Sequence, residues 1–189
     1  MEYHLTAPLD EKTVRQLKAG DRVFLSGVVY TARDAAHARL VQALQEAKPL
    51  PFDLQGSAIY YVGPSPAAPG QVIGSAGPTS AYRMDPFAPT LIAQGERAMI
   101  GKGKRSAEVV AAMRKYGAVY LGAVGGAAAL IAKTIRKAEV IAYEDLGAEA
   151  VRRLEVENMP LLVLIDCEGR NLYEEGPAAW LASQGKERD

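Results

Sequence analysis

The sequence predicts a single α/β domain. Two observations carry that expectation: β-branched runs alternate with alanine-rich runs of helical period along the chain, and no internal repeat or low-complexity tract interrupts them. A third is size, since 189 residues with 49% hydrophobic content suit one domain with a sizeable core.

The elements follow in order. Asp10 to Leu17 reads as a short helix and Arg22 to Tyr30 as a strand. Arg33 to Ala47 reads as a helix, because Ala36, Leu40, Val41, Leu44 and Ala47 share one face. Ala58 to Val62 and Gln71 to Ser75 read as short strands. Between them, Gly63-Pro64-Ser65-Pro66-Ala67-Ala68-Pro69-Gly70 is dense in residues that preset or free φ, which predicts a surface loop. Pro86 to Gln94 reads as a short helix and Arg97 to Ile100 as a strand. Ser106 to Tyr116 reads as a helix with Val109, Val110 and Met113 inward, stopped by Gly117. Ala118 to Val124 reads as a buried strand, Gly126 to Arg136 as a helix and Glu139 to Tyr143 as a strand. Val151 to Val156 and Leu161 to Asp166 are expected as two closing strands. The domain is expected over residues 1–175, followed by a tail at 176–189 that frays, although Trp180 in it offers a docking group.

Composition excludes several functions. Lysine plus arginine (22) equals aspartate plus glutamate (22), so no global field draws the chain to nucleic acid or an anionic membrane. No apolar run approaches the roughly 20 residues of a spanning helix, and Met1-Glu2-Tyr3-His4 lacks the pattern of a signal peptide, so a cytoplasmic protein is expected. The one cysteine, Cys167, excludes an internal disulfide and reads as a packing residue among apolar neighbours. His4 and His37 give no spaced ligand set for zinc, and this chain alone cannot hold a thiolate-bound iron–sulfur cluster.

Four junctions between strands and helices carry the chemistry, because loops at the ends of strands in open α/β sheets gather ligand groups. At Thr31-Ala32-Arg33-Asp34-Ala35-Ala36-His37, Arg33 either grips a carboxylate bidentately or pairs with Asp34 on the surface. His37, one turn on, faces the same site or serves as a structural donor. Gly77-Pro78-Thr79-Ser80-Ala81-Tyr82-Arg83-Met84-Asp85 joins a rigid turn to two hydroxyls and an arginine, with Asp85 as a candidate to orient Arg83. An ordinary Ser/Thr turn is the other reading.

Gly101-Lys102-Gly103-Lys104-Arg105-Ser106 is not a Walker loop, since Glu96 stands where the first glycine is needed and Gly103 follows the lysine. The flanking glycines still let the backbone approach a ligand, so Lys102 offers a point charge for a carboxylate, while Lys104 and Arg105 read as a solvated face. Gly122-Ala123-Val124-Gly125-Gly126-Ala127-Ala128-Ala129 puts Gly125 and Gly126 at a helix start, either as an anion seat or for close packing. It lacks the dinucleotide fingerprint.

In this order the junctions, together with Leu5-Thr6-Ala7-Pro8-Leu9 and Tyr120-Leu121-Gly122, resemble the β subunit, or C-terminal domain, of class I iron–sulfur fumarate hydratases and L(+)-tartrate dehydratases. The resemblance covers nearly the whole chain. It implies a swivelling β/β/α three-layer fold and an α-subunit partner that carries a [4Fe-4S] cluster, with no metal bound by this chain. It further implies Arg33, Arg83 and Lys102 as cations for the dicarboxylate, and Thr79 as the proton-transfer group. A threonine is a poor base, so a neighbouring carboxylate or lysine, such as the catalytic candidate Lys102 or a group of the α subunit, is expected to help it. Asp34, His37, Ser80, Asp85, Gly125 and Gly126 are supporting candidates. The family usually has Thr-Thr where this chain has Thr79-Ser80, which keeps the hydroxyl.

The expected activity is that of a hydro-lyase interconverting fumarate and (S)-malate, with tartrate dehydration as the near alternative and a non-catalytic small-anion binding domain as the alternative of another class. Without its partner, an exposed docking surface predicts self-association into homodimers.

Overall fold

The computed structural model describes residues 1–123 and 128–176. Seven strands are β1 (Glu2–Ala7), β2 (Arg22–Thr31), β3 (Ala58–Tyr60), β4 (Ala98–Gly101), β5 (Val119–Gly122), β6 (Ile135–Ala142) and β7 (Val151–Ile165). The helices are α1 (Glu11–Gln16), α2 (Asp34–Gln45), α3 (Ala88–Ala93), α4 (Ala107–Tyr116) and α5 (Ala128–Thr134), with 3₁₀ turns at Ala81–Met84 and Glu144–Glu149 and a further helical turn over 172–176. The α/β expectation holds, as one mixed sheet in the order β1-β2-β3-β4-β5-β7-β6.

Strands β1 to β5 are parallel neighbours, whereas β7 runs antiparallel to β5, β6 and β2. Because β7 pairs with both β5 and β2, the sheet curls back on itself and is partly barrel-like.

Alternation along the central strands divides the core. Ala58, Tyr60, Ala98, Ile100, Val119 and Leu121 join Val23, Leu25 and Val163 in one cluster. Ile59, Tyr61, Met99 and Tyr120 point the other way and meet Leu40, Leu91, Ile92, Val109 and Met113 of the helices. Both faces are covered, which is why these strands read as unbroken apolar runs.

Helix ends follow local chemistry. The Asp10 carboxylate accepts the Thr13 N–H at 2.6 Å to start α1. Ser106 Oγ accepts the Val109 N–H at 3.4 Å to start α4, which Gly117 stops at φ 72°.

Several expectations are corrected. Glu2–Ala7 is a strand, although no strand was expected before Arg22. Gln71 to Ser75 is not a strand: Ser65 and Ser75 bond to each other across the proline-rich loop, which takes the hydrogen bonds a sheet would need. Ala47 lies beyond α2 at φ 53° and is exposed. Helix α5 ends at Thr134, and β6 begins four residues before the expected Glu139.

The two closing strands are one, β7. Asn158, at φ 51°, donates its N–H to Ser26 Oγ at 3.0 Å and carries the chain through the polar stretch that reads as a break. Val124, Gly125, Gly126, Ala127 and the expected tail from 177 onward, Trp180 included, lie outside the described residues. Among the described residues no helix is long and apolar enough to cross a membrane.

Gly27 sits in β2 at φ 96°, beside the register shift against β7, and a Cβ there would run into the Ala7 carbonyl oxygen of β1. Gly27→Ala should therefore lower stability by at least roughly 1–3 kcal/mol. Denaturant unfolding checks this; an unchanged midpoint contradicts the assigned packing of β1 on β2.

Candidate functional site

The parallel strands end at a common level. Thr31 pairs with Tyr60, Tyr60 with Ile100, and Gly101 with Gly122. Loops leaving β2, β3 and β4 consequently gather at one end of the sheet, where Arg33, Thr79 and Lys102 are found.

Arg33 is the residue before α2. Its Nη2 lies 3.0 Å from Glu149 Oε1, and its side chain covers Gly63 closely enough that a Cβ there would meet Nη1. Glu149 stands beside it because Thr31 pairs with Arg152, and Thr31 Oγ1 both donates to the Ala150 carbonyl and accepts the Arg152 N–H. Asp34 stands between the two arginines: Oδ2 accepts from Arg83 Nη2 at 2.9 Å, and Oδ1 lies 4.0 Å from Arg33 Nε. Arg33 thus faces carboxylates of the chain itself, Asp34 and Glu149, at the end of a strand, as the surface-pair reading has it. Arg33 and Arg83 become one cluster through Asp34.

Thr79 is fixed by its backbone. Its N–H donates to the Tyr61 carbonyl at 2.7 Å, and its carbonyl accepts the Lys102 N–H at 3.4 Å. Ser80 forms a parallel bridge with Lys102, and the Ala81 N–H donates to the Lys102 carbonyl at 2.8 Å. The Thr79-Ser80 segment therefore extends the sheet beyond β4 and lies against Lys102. The exposed Lys102 lines a cleft of about 230 Å³ with Gly101, Gly122, Ala123, Leu162, Leu164 and Tyr173.

Two expectations for this region are corrected. Asp85 does not orient Arg83: its Oδ1 accepts Arg105 Nε at 2.7 Å and its Oδ2 the Ser106 N–H at 2.7 Å. Arg105 is not on a solvated face, for its side chain has no exposure and lies between the rings of Tyr61 and Tyr120. Lys104 is exposed as expected.

His37 is fully buried, its ring meeting that of Tyr61 edge-on. Its Nδ1 lies 2.9 Å from the Arg33 carbonyl, so the proton sits on Nδ1 and the ring is a structural donor. Burial pushes its pKa down to about 4, against the opposing pull of that carbonyl. Beneath the site, burial raises the pKa of Tyr61 and of Tyr120 above the ordinary phenol range and pushes that of Glu96 up to about 8. Burial opposes the charge on Arg105, but Tyr61 and Asp85 outweigh it and hold its pKa above the ordinary range.

Glu149, Arg105 and Tyr173 were missed by sequence reasoning. Glu149 and Tyr173 come from elements distant in the chain, and a buried arginine after a lysine reads as surface charge. Gly125 and Gly126 lie outside the described residues.

A family model described as Fumarase C-terminus matches residues 2–176. The chain belongs to this family. It is 44% identical over 156 residues to fumarate hydratase 1, mitochondrial, of Leishmania major, covering 82% of this chain and 28% of that protein. It is 37% identical over 175 residues to the aerobic class I fumarate hydratase of Salmonella typhimurium, covering 90% and 30%. A Methanocaldococcus jannaschii protein, provisionally named L(+)-tartrate dehydratase subunit beta, is 40% identical over 181 residues, covering 93% of this chain and 92% of the relative. The chain thus spans about three tenths of the fumarate hydratases and nearly all of the archaeal subunit.

The buried acids set a pH dependence. Glu96 has a folded-state pKa of about 8, above its ordinary value of 4.5, so the native state holds the proton more tightly. That stabilisation is complete below the unfolded value and is lost as pH rises towards about 8. Stability should fall from mildly acidic to mildly alkaline pH, and Glu96→Gln should flatten the fall. Denaturation midpoints across that window test it, and identical slopes for both proteins would contradict the assignment.

Proposed function

We propose that this chain is the β subunit of an iron–sulfur-dependent hydro-lyase that hydrates fumarate reversibly to (S)-malate. The observation that carries the reading is the arrangement of three cations, Arg33, Arg83 and Lys102, on loops gathered at one end of a parallel sheet, with Thr79 against Lys102. Family membership supports it.

Arg33 and Arg83 each face a carboxylate of the chain itself, Glu149 and Asp34. A dicarboxylate can exchange for these partners while both guanidiniums keep an anionic partner, so substrate binding replaces one set of ion pairs by another. Lys102, exposed between two glycines, adds a point charge. In the dehydration direction, Thr79 takes the C–H proton next to one substrate carboxylate. The electron pair left on that carbon delocalises into the carboxylate, and the fixed cations stabilise the added charge. The double bond then forms as hydroxide leaves the adjacent carbon. A threonine hydroxyl is a weak base at its ordinary acidity, so a neighbouring base, from Lys102 or the α subunit, must receive its proton.

The residues described here do not suit a cluster: Cys167 is the single cysteine and is buried. The proposal therefore assigns a [4Fe-4S] cluster to the α subunit, where it would supply Lewis-acid polarisation of the hydroxyl or water. The reading also carries the swivelling β/β/α arrangement, a domain spanning residues 1–175, and a cytoplasmic heteromer.

Tartrate dehydration is the second reading. It is favoured by one observation: the relative whose length this chain matches almost fully bears that name. Anaerobic reconstitution with the α subunit, followed by assay with fumarate, malate and both tartrates, separates the two. Fumarate hydration is expected, and robust tartrate turnover without it would sink the first reading. In the active complex, Arg83→Ala should cost about 2–4 kcal/mol of transition-state stabilisation with the fold intact. Near-normal kcat/KM in that variant refutes the clamp.

A further inference from the structure

We infer that Arg105 and Asp85 form a buried brace that positions Lys102 relative to Arg83; the inference rests on the dicarboxylate reading above. Asp85 lies two residues beyond Arg83 and Arg105 three beyond Lys102, so the pair joins the two cation-bearing loops just behind their functional side chains.

Both oxygens of Asp85 are engaged by the other loop, one by Arg105 Nε and one by the Ser106 N–H, each at 2.7 Å. The Arg105 guanidinium lies 5.3 Å from the centre of the Tyr61 ring and 5.0 Å from that of Tyr120, and its Nη1 reaches Met99 Sδ at 3.2 Å. It is therefore clasped from β4, from β5 and from the residue following β3. Tyr120 also donates its hydroxyl to the Gly103 carbonyl at 3.1 Å, and the Gly103 N–H donates to the Tyr173 hydroxyl at 2.9 Å. Lys102 is thus held on its C-terminal side by Gly103 and Arg105 and on its own backbone by Thr79 and Ala81.

Stability is a weak reason for this arrangement. A buried arginine–carboxylate pair is often no more stabilising than apolar side chains of the same volume, because desolvation offsets the attraction. What such a pair supplies is one defined geometry. Two cations on separate loops, the exposed Lys102 and the part-exposed Arg83, need that geometry if both are to meet one small dianion, since a misplacement of about 1 Å costs on the order of a hundredfold in rate. The brace touches no substrate, so Arg105 and Asp85 are positioning residues.

The test uses the complex of the full chain with its α subunit and compares wild type, Lys102→Ala, Arg105→Met, Arg105→Lys and Asp85→Asn. Steady-state kinetics are paired with hydrogen exchange of the peptides covering 79–85 and 101–106. Arg105→Met and Asp85→Asn should speed exchange in those peptides while β2 and α2 keep their protection. They should also lower kcat/KM by roughly tenfold to a hundredfold with a raised KM, and Arg105→Lys should recover part of both effects.

Unchanged exchange at 101–106 overturns the brace. Uniformly faster exchange with KM unchanged does so too, since it marks a loss of folded protein. Should the wild-type complex or Lys102→Ala contradict the hydro-lyase reading, that reading falls on its own, and the exchange data still decide whether Arg105 and Asp85 hold the loop.

Discussion

Strands β2, β3, β4 and β5 lie parallel and in register, and the site depends on that alignment. Thr31, Tyr60, Ile100 and the Gly101–Gly122 pair bring four chain segments to one level before each leaves the sheet. Arg33, Thr79 and Lys102 are far apart in sequence and share one edge for this reason alone. Strand β7 fixes the alignment from outside, because it pairs along most of β2 and again with β5. A slip of one residue would exchange Tyr60 with Tyr61 and Leu121 with Tyr120 between the two cores. Both faces are buried, so no such slip is tolerated.

The same end of the sheet concentrates charge, and the chain manages it in two ways. Part-exposed cations are paired with part-exposed carboxylates: Arg83 with Asp34 and Arg33 with Glu149. A ligand that brings two carboxylates can take those places. Arg105 is buried and held by groups that do not exchange, namely Asp85 and the rings of Tyr61 and Tyr120. His37 remains neutral because burial outweighs the favourable carbonyl beside it, so it adds no charge beneath the arginines. In the proposed reading, the part-exposed charge is the charge that meets ligand, and the buried charge is the charge that fixes geometry.

Most of the α/β pattern was legible because period and punctuation agree locally. Asp10, Ser106 and Gly117 mark helix ends by cap chemistry that depends only on neighbouring residues. Strand β1 and the continuity of β7 were not legible, since the first is half exposed and the second passes through Glu157, Asn158 and Pro160. Among the site residues, Arg33, Thr79, Arg83 and Lys102 stood out as polar groups after apolar strands. Glu149 did not, because the antiparallel pairing of β2 with β7 brings it to Arg33. Arg105 was misread for a related reason: three consecutive basic or glycine neighbours suggest solvent, whereas aromatic residues of β5 and of the segment after β3 enclose it. Such long-range partners belong to topology, which local pattern does not encode.

The central claim is that cations from three loops hold one four-carbon dicarboxylate. A structure of the reconstituted heteromer with succinate, which has the two carboxylates but no double bond or hydroxyl, tests it most directly. The account predicts succinate carboxylates within hydrogen-bonding distance of Arg33, Arg83 and Lys102, with the Arg83–Asp34 contact exchanged for one to the ligand. Succinate bound elsewhere, with Arg83 still on Asp34 and Arg33 still on Glu149, would contradict it.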